Sequence, residues 1–350
     1  MISSVGALLF SIVVAQAATP TQVPPQAHAP ASATVPLIRS SITAEQLRKD
    51  VGELSSDEMG GRFFRSPFAE KAAQWISARM ASEGIEMKRI PIDSNPETGP
   101  NLIGIFEPPA DGRTDGCVLV TAHYDHLRPK RSGEDRIHNG ADDNASGVAG
   151  MLAVAHALKE CAAAKLGPHC RVVFVAFNGE EAGLVGSRAF VKSPPVPLGE
   201  IRALFNMDMI SRGSPREIFI DGGPVGASAI ATLRRANESI GLILRVDEHP
   251  DWLDRSDQGP FLRQNVPAVL LSVEDHEDYH RVTDEVARID ASLAAEVAQL
   301  VTLAVIDASA QPFAPRATAP DPQPPTAPPT IPAAPSASPA TTPAAKPITP

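Results

Sequence analysis

Side chains of the types that bind metals and transfer protons follow several apolar runs in this sequence. A histidine follows the run at 117–122, two adjacent glutamates come shortly after the run at 171–177, and an aspartate ends the run at 203–208. Zinc binds histidine nitrogen and carboxylate oxygen, and two metals about 3.5–4 Å apart share one carboxylate. A two-zinc centre therefore needs two histidines and three carboxylates, and the sequence offers such a set: His123, Asp143, Glu181, Asp208 and His280.

Two more carboxylates lie beside these candidate ligands. Glu180 directly precedes Glu181, so the two side chains point in different directions, and Glu180 can face a water molecule as a general base while its neighbour binds metal. Asp125 can hold the His123 ring through the nitrogen that does not face the metal. Both carboxylates extend the predicted centre from a binding site to a catalytic one.

Each motif also has an ordinary structural explanation. A loop rich in Asp, Asn and Gly, such as residues 140–147, is usually a turn before a helix, and adjacent glutamates suit a solvated helix start. Asp208 is harder to explain in this way, because a carboxylate at the end of a buried strand is costly unless it is paired or binds a metal. The presence of all these groups at strand ends favours a functional site.

The elements that must position these groups alternate between short apolar runs and longer helical patterns. Nearly continuous apolarity indicates strands covered on both faces, and the alternation predicts an α/β fold of three layers, in which helices flank a mainly parallel central sheet. Because ligands bind beyond the carboxyl ends of parallel strands, we expect the polar groups to converge on one rim. Strands are predicted at 117–122, 171–177, 203–208 and 268–272, and helices at 44–57, 67–83, 145–161, 181–192, 226–239 and 288–309.

The composition of the chain divides it into four segments. Residues 1–17 hold an apolar run followed by a small-residue cleavage pattern, which predicts a signal peptide and export to a periplasmic, cell-surface or extracellular location. The run is too short for a membrane span, which requires about 20 residues. We expect residues 18–37 to be a disordered linker, 38–310 the catalytic domain, and 311–350 a disordered tail rich in Pro, Ala and Thr.

Charge and cysteine content limit the partners of the protein. The formal net charge of -10 argues against nucleic acid, since binding to phosphate backbones requires basic patches. The three cysteines include no CxxC pair, so a cysteine-ligated zinc is disfavoured. Cys161 and Cys170 lie close together at a predicted helix-to-strand connection, where export would allow a disulfide, and Cys117 is expected in a strand. We expect a monomer without a membrane span.

Five sequence strings together resemble the motifs of a known enzyme family: AHYDHL, NGADDNASG, FNGEEAGLVGS, NMD and YHRVTD. They are similar to those of the co-catalytic di-zinc aminopeptidase family, metallopeptidase family 28, which includes bacterial leucyl aminopeptidase and aminopeptidase Y. The likeness runs from about Leu47 to about Ala308, and LSSDEMGGR is similar to the family's first helix and loop. The resemblance implies the zinc-exopeptidase, phosphorylase/hydrolase-like fold for the di-zinc peptidase domain at 38–310.

The resemblance also implies the cofactor and the reaction. It implies two Zn²⁺ per chain and a secreted exopeptidase that removes N-terminal residues from a peptide substrate by means of a zinc-bridged water. The two metal sites share one aspartate, with His123, Asp143 and Asp208 for one zinc and Asp143, Glu181 and His280 for the other. Three further residues match catalytic positions: Glu180 the general base, Asp125 the residue that orients His123, and Tyr279 a tyrosine that steadies the oxyanion in some members. The family further implies a cis peptide bond between Asp143 and Asn144.

One position departs from the family pattern. Many relatives have Ser-Asp-His in the segment before Pro-Phe, whereas this chain has Gln258 in place of the histidine. This segment is expected to line the substrate pocket, which the loops near 128–138 and 247–258 would shape. His126 and His138 match no ligand position, and we interpret them as neighbours of the ligands or as surface residues.

Three other functions share parts of this pattern. A glutaminyl cyclase has the same fold and much of the ligand set but cyclises N-terminal glutamine at a single zinc, and GADDNASG favours the peptidase over it. A related carboxypeptidase shares the ligands, which do not define the peptide terminus that is recognised. A receptor ectodomain that has lost its metals should lack ligands, and here none is missing.

Overall fold

The computed structural model describes residues 31–95, 97–109, 112 and 115–316. The predicted signal peptide at 1–17 lies outside the described residues, and so do residues 18–30 of the predicted linker and 317–350 of the predicted tail. Both boundaries of the fold differ from the expected 38 and 310. The first helix begins at Ala31 and buries Thr34 and Ile38, and beyond residue 310 the Phe313 ring lies 4.5 Å from the Arg202 guanidinium.

The described residues form eight strands, which are β1 (Met87–Ile90), β2 (Asn101–Phe106), β3 (Cys117–His123), β4 (Arg171–Phe177), β5 (Ile201–Met207), β6 (Glu217–Asp221), β7 (Ile243–Val246) and β8 (Ala268–Ser272). They make one sheet in the order β1-β2-β4-β3-β5-β8-β6-β7. The central strands β4, β3, β5 and β8 run parallel, while β2 and β6 pair antiparallel with them. All residues of β3, β5 and β8 are buried, as their continuous apolarity predicts.

Helices cover both faces of this sheet, which confirms the predicted three layers. Within the described ranges they are α1 (Ala31–Ser41), α2 (Ala44–Leu54), α3 (Pro67–Ser82), α4 (Gly147–Ala163), α5 (Val185–Lys192), α6 (Gly223–Ile240), α7 (Gln258–Arg263) and α8 (Ala291–Ala310). The larger core packs one face against α4, α6 and α8, and a smaller core packs the other against α5 and α7. Capping explains where α2 and α3 begin. The Thr43 side chain accepts the Gln46 N–H at the start of α2, and the Ser66 side chain accepts the Ala69 N–H at the start of α3, directly before Pro67.

Three predicted helix starts lie further along the chain than expected. The helix predicted at 288–309 begins at Ala291, after the cap at Asp290, whose side chain accepts the N–H groups of Ser292 and Leu293. The helix predicted at 181–192 begins at Val185, because Gly183 and Leu184 both adopt positive φ and close a turn instead. The helix predicted at 145–161 begins at Gly147, after an irregular turn at Ala141–Ser146. Both turns leave the polar residues that precede these helices free to project over the rim of the sheet.

Helix α8 is the one described helix with the length and apolarity of a membrane span, with a mean hydropathy of 1.5. Of this apolar stretch, 72% is buried inside the fold, as in the core helix of a three-layer protein. Cys117 is buried in β3 as expected. Cys161 and Cys170 are also buried, and the structure forms no disulfide between them.

Candidate active site

The predicted metal ligands come from five separate segments and meet beyond the carboxyl ends of the central strands. His123 and Asp143 are almost completely buried, the side chains of Glu181 and Asp208 are 9% and 12% exposed, and that of His280 is 38% exposed. The segments supply His123 at the end of β3, Glu181 after β4, Asp208 after β5, Asp143 in the turn before α4 and His280 after β8. Parallel strand direction places all of them on the same rim.

Asp143 lies at the centre of the cluster. Its Oδ1 is 3.4 Å from His123 Nε2, and its Oδ2 is 3.3 Å from His280 Nε2. On the outer sides, His123 Nε2 is 3.1 Å from Asp208 Oδ1, and His280 Nε2 is 3.3 Å from Glu181 Oε2. The two oxygens of one carboxylate thus face two different sets of donors, which is the geometry a bridging ligand requires.

The donor atoms fit zinc by their chemistry and their spacing. Zinc bonds of about 2.0–2.1 Å in a tetrahedral site separate neighbouring ligand atoms by about 3.3–3.4 Å. The separations above are 3.1–3.4 Å, and donor atoms of His123, Asp143 and Asp208 all lie within 4.8 Å of one another. Carboxylates buried against each other are costly without a cation between them. The residues present therefore suit the metal that the resemblance implies.

The pKa values in the cluster reflect this crowding of negative charge. Burial, with a contribution from Glu181, raises the pKa of Asp143 to about 6. Burial alone would lower the pKa of His280, but its bonds to Asp143 and Glu181 outweigh burial and raise the pKa to about 10. The carboxylates near His123, above all Asp208, likewise hold its pKa well above its usual value against the effect of burial. Protons on the histidines offset the carboxylates, and a metal ion must displace them.

Glu180 faces the same cleft as His123, Asp143 and Asp208. Burial, together with Asp208, raises the pKa of Glu180 well above its usual value, although His123 acts in the opposite direction. Its backbone N–H donates to Asp125 Oδ1 at 3.1 Å. A carboxyl group with a raised pKa is suited to accept a proton and return it near neutral pH.

Asp125 contacts both the histidine and the glutamate. His123 Nδ1 is 3.2 Å from the Asp125 carbonyl oxygen and 3.7 Å from its Oδ1. The backbone carbonyl is therefore the closer partner of the ring, while the carboxylate accepts the N–H of Glu180. This differs from the simple orienting carboxylate expected, because one aspartate fixes two active-site segments.

Tyr279 stacks on His280, with ring centroids 3.8 Å apart and planes inclined by 26°. Burial, together with Asp143, raises the pKa of the Tyr279 hydroxyl above its usual value. The hydroxyl therefore keeps its proton and can donate a hydrogen bond. It lines the same cleft as Glu180.

The turn that carries Asp143 is fixed by its neighbours. The Asp143–Asn144 peptide bond is cis, as the resemblance implied. The Asp284 carboxylate accepts the backbone N–H groups of Asp142 and Asp143, each at 3.0 Å. The Asn144 side-chain amide donates to the Met207 carbonyl at 3.0 Å, which ties the turn to the end of β5.

Asp142 has a different partner set from Asp143. Its Oδ1 accepts the Ser211 N–H at 2.7 Å and the Ser211 hydroxyl at 2.6 Å, so it points away from the cleft. This placement accords with the second aspartate of the motif, and not the first, facing the metals. Gly140 precedes the turn at φ 57°, where a Cβ would lie 2.2 Å from the Asp143 carbonyl oxygen, so only glycine fits.

Arg62 and Asp284 were not assigned a role in the site from the sequence, and His126 was interpreted only as a neighbour of the ligands or a surface residue. Arg62 is fully buried and donates to four backbone carbonyls around the site. Arg62 and Asp284 lie inside the strings LSSDEMGGR and YHRVTD, and His126 inside AHYDHL, so the strings marked the right segments. The contacts of these three residues depend on tertiary packing. Such contacts leave no periodic pattern in the sequence from which the role of a residue can be predicted.

The pocket wall agrees in part with the loops that were expected to form it. Trp252, Arg255 and Ser256 line the cleft, as predicted for 247–258, but none of its lining residues comes from 128–138. Gln258 is completely buried, and its side-chain amide donates to the Trp252 carbonyl at 2.8 Å. The segment that was expected to line the pocket does so through Ser256, whereas Gln258 itself supports the wall from behind.

The two unassigned histidines are both buried. His126 Nδ1 is 2.7 Å from Glu181 Oε1, and His126, Asp143 and Glu181 form a second group of donor atoms within 4.8 Å of one another. His138 Nδ1 is 2.9 Å from the Arg128 carbonyl and lies outside that group. Of the two, His126 contacts a candidate ligand directly.

A sheet of this kind, with histidines and carboxylates facing one another at its carboxyl rim, is the arrangement of a metal-dependent hydrolase. The model of peptidase family M28 matches residues 101–305, and the chain belongs to this family. Aminopeptidase YwaD of Bacillus subtilis (strain 168) is 29% identical over 61% of this chain and 45% of its own length. The chain spans about half the length of the curated relatives it matches.

Two solved structures illustrate the similarity of fold. BSAP, a zinc aminopeptidase from Bacillus subtilis, matches with a TM-score of 0.62 and 18% identity over 75% of this chain and 94% of its own. A glutaminyl cyclase from Porphyromonas gingivalis matches with a TM-score of 0.57 and 18% identity over 75% of this chain and 98% of its own. The fold alone therefore suits both enzyme classes, and the family assignment rests on the sequence.

Proposed function

We propose that the protein is a zinc-dependent aminopeptidase that removes N-terminal residues from peptides, with two zinc ions and with Glu180 as general base. The observation that carries this proposal is the position of Asp143, whose two oxygens face two separate histidine and carboxylate sets. Glu180 lies in the same cleft. Membership of peptidase family M28 and similarity to an aminopeptidase support the peptidase over other uses of the fold.

Each of these side chains has its own role in the proposed reaction. Two ligand groups sharing Asp143 would hold the metals: His123, Asp143 and Asp208 in one, and Asp143, Glu181 and His280 in the other. When bound, zinc supplies a Lewis acid that polarises the scissile carbonyl and lowers the pKa of water. Glu180 takes the proton from the attacking water and returns it to the leaving amine. The Tyr279 hydroxyl donates a hydrogen bond to the carbonyl oxygen as negative charge develops on it.

The one arginine that lines the cleft is already paired, which favours an amino terminus over a carboxyl terminus. Its lining includes the carboxylates of Glu180, Asp208 and Asp275 beside Asp143. Arg255 is the single lysine or arginine among the lining residues, and Asp275 pairs with it at 3.2 Å. A terminal carboxylate would therefore compete with Asp275 for one guanidinium, whereas the Asp275 carboxylate, which is not a proposed zinc ligand, can receive an ammonium group. This is why we propose an aminopeptidase and not a carboxypeptidase.

The test measures zinc content and substrate class on the purified protein. We expect two zinc ions per chain and hydrolysis of leucyl anilides and of peptides with a free amino terminus, with no cleavage of amino-blocked peptides. Activity on amino-blocked peptides with a free carboxyl terminus would identify a carboxypeptidase instead. One zinc per chain with release of ammonia from N-terminal glutaminyl peptides would identify a glutaminyl cyclase.

We further propose that the protein is exported as a monomer. The apolar run and small residues within 1–17 support export, although they lie outside the described part of the chain. Expression in a bacterial host followed by fractionation and N-terminal sequencing tests this. A mature protein that begins near residue 18 outside the cytoplasm is the expected result, and light scattering measures the oligomeric state.

A further inference from the structure

We propose that His126 is a positioning residue that holds Glu181 in its metal-binding orientation by a hydrogen bond to the oxygen turned away from His280. The inference rests on the proposed function, because it concerns a ligand of the proposed zinc centre. His126 has no assigned role in the ligand set implied by the family. Its side chain is completely buried, so the contact belongs to the interior of the site.

The two oxygens of Glu181 have different partners. Oε2 is 3.3 Å from His280 Nε2, the spacing of two ligands on one metal. Oε1 is 2.7 Å from His126 Nδ1, which is shorter than that spacing and is the length of a charge-assisted hydrogen bond. Glu181 therefore presents one oxygen to the metal site and the other to His126.

The same distances argue against His126 as a metal ligand. Its Nδ1 lies 3.6 Å from Asp143 Oδ2, which is too long for a hydrogen bond and leaves Glu181 as the directed partner. A carboxylate only accepts hydrogen bonds, so Nδ1 must carry the proton that this contact uses. A protonated nitrogen has no lone pair to offer a metal. Outer partners of this kind fix the orientation of metal-binding carboxylates.

The packing around the His126 ring leaves it little freedom to form a hydrogen bond with another partner. The other nitrogen, Nε2, is buried without a hydrogen-bond partner in the described structure. The rings of His138 and His280 pack edge-on against it, with centroids 6.2 and 6.0 Å away. A Cβ on Gly140 would lie 2.6 Å from the ring, so the loop that carries Asp143 also presses against it. The bond to Glu181 is therefore the one directed contact that the buried ring makes.

Asp125, the residue before His126, makes a similar contact with Glu180, the residue before Glu181. Asp125 accepts the backbone N–H of Glu180 at 3.1 Å, and His126 donates to the side chain of Glu181 at 2.7 Å. Two consecutive residues after β3 thus fix two consecutive glutamates after β4. Loss of the His126 contact should free Glu181 while leaving His123 and the rest of that segment in place.

The experiment compares zinc binding by metal-depleted proteins, without any turnover assay. His126→Leu fills the cavity but removes the donor, whereas His126→Asn places an amide nitrogen near the position of Nδ1. We expect the leucine variant to bind one of its two zinc ions about 10–100-fold more weakly than the wild type, as is typical for loss of such a partner. The asparagine variant should recover most of that affinity, and His138→Ala, which removes a buried histidine outside the ligand group, should bind as the wild type does.

Two results would overturn the inference. Unchanged zinc affinity in His126→Leu would show that Glu181 keeps its orientation without His126. Equal losses of zinc affinity in the leucine and asparagine variants would show that the hydrogen bond is not the cause of the loss. Circular dichroism of the zinc-free proteins checks folding, and His126→Gln, whose amide nitrogen reaches the Nε2 position instead, replaces the leucine variant if that does not fold. A wild type that binds no zinc would refute the proposed function itself, which keeps the two failures distinguishable.

Discussion

Replacement of Arg62 by methionine should destabilise the protein severely, although Arg62 is not among the proposed catalytic residues. The guanidinium is completely buried and donates four hydrogen bonds to backbone carbonyls, those of Leu54 at 2.9 Å, Tyr124 at 2.9 Å, Asn139 at 2.7 Å and Gly140 at 3.0 Å. Tyr124 directly follows His123, and Gly140 precedes the turn that carries the shared aspartate. One side chain therefore ties two segments of the candidate metal site to α2.

The size of the loss in the free energy of unfolding follows from the number of backbone carbonyls that lose their hydrogen-bond donor. Methionine fills much of the volume but donates nothing, and each unsatisfied buried acceptor costs about 1–3 kcal/mol. The Gly140 carbonyl keeps the Ala145 N–H as a donor at 3.2 Å. The other three carbonyls therefore carry the cost, at least about 3 kcal/mol, a large part of the roughly 5–15 kcal/mol by which a protein is stable. The cost of burying the positive charge outweighs its attraction to Asp143, Asp284 and Asp125, so the expected loss of stability comes from the carbonyls and not from the charge. Burial lowers the pKa of Arg62 to about 10, so the group is still charged at neutral pH.

Denaturant unfolding of the zinc-free protein at pH 7, followed by circular dichroism, measures this effect. Arg48→Met is the matched control, because Arg48 also donates to two backbone carbonyls, Val286 and Ile289, but from an exposed position. We expect the control to lose no more than about 1 kcal/mol, since water replaces an exposed donor. If Arg62→Met lost as little as Arg48→Met, the argument from unsatisfied carbonyls would be wrong.

Three further predictions concern the site itself. Glu180→Gln should keep both zinc ions but reduce kcat by at least about 10²-fold, because the amide cannot accept the proton of water; metal analysis and steady-state kinetics measure both. Asp143→Asn should weaken both metal sites together, since Asp143 faces both donor sets, and chelator competition would contradict this if only one site were affected. Removal of zinc with a chelator should abolish activity and lower the Tm of the wild type, because cation binding stabilises the folded state only, and added zinc should restore both.

The centre of the sheet was predictable from the sequence, whereas its edges were not. The runs at 171–177 and 268–272 coincide with β4 and β8 because strands buried on both faces must be apolar throughout. No strand was predicted at β1, β2, β6 or β7. The outermost strands β1 and β7 are short and partly exposed, with no apolar run to mark them, whereas β2 and β6 are mostly buried and their short apolar runs were missed. The sequence therefore identified the parallel core that positions the site and missed the strands that only extend it.

The candidate ligands were predictable for a different reason. They stand at the carboxyl ends of strands whose direction is fixed, so the type of residue and its place in the chain were enough to bring them together. The contacts that fix the ligands depend on side chains such as Arg62, Asp284 and His126. Arg62 meets Tyr124 across 62 positions of sequence, and Asp284 meets Asp142 across 142. Such pairings arise from packing between elements and leave no local pattern.

The two adjacent glutamates show how backbone geometry separates two chemical roles. The turn after β4 brings the N–H groups of Gly183 and Leu184 onto the Glu180 carbonyl, both at 2.8 Å. The Glu180 N–H is bound by Asp125, so the peptide groups on both sides of Glu180 are held. With its backbone fixed, the Glu180 side chain lies in the cleft, and Glu181 is left to pair with His126 and His280. The turn and the segment after β3 would therefore set the proposed division into a base and a ligand.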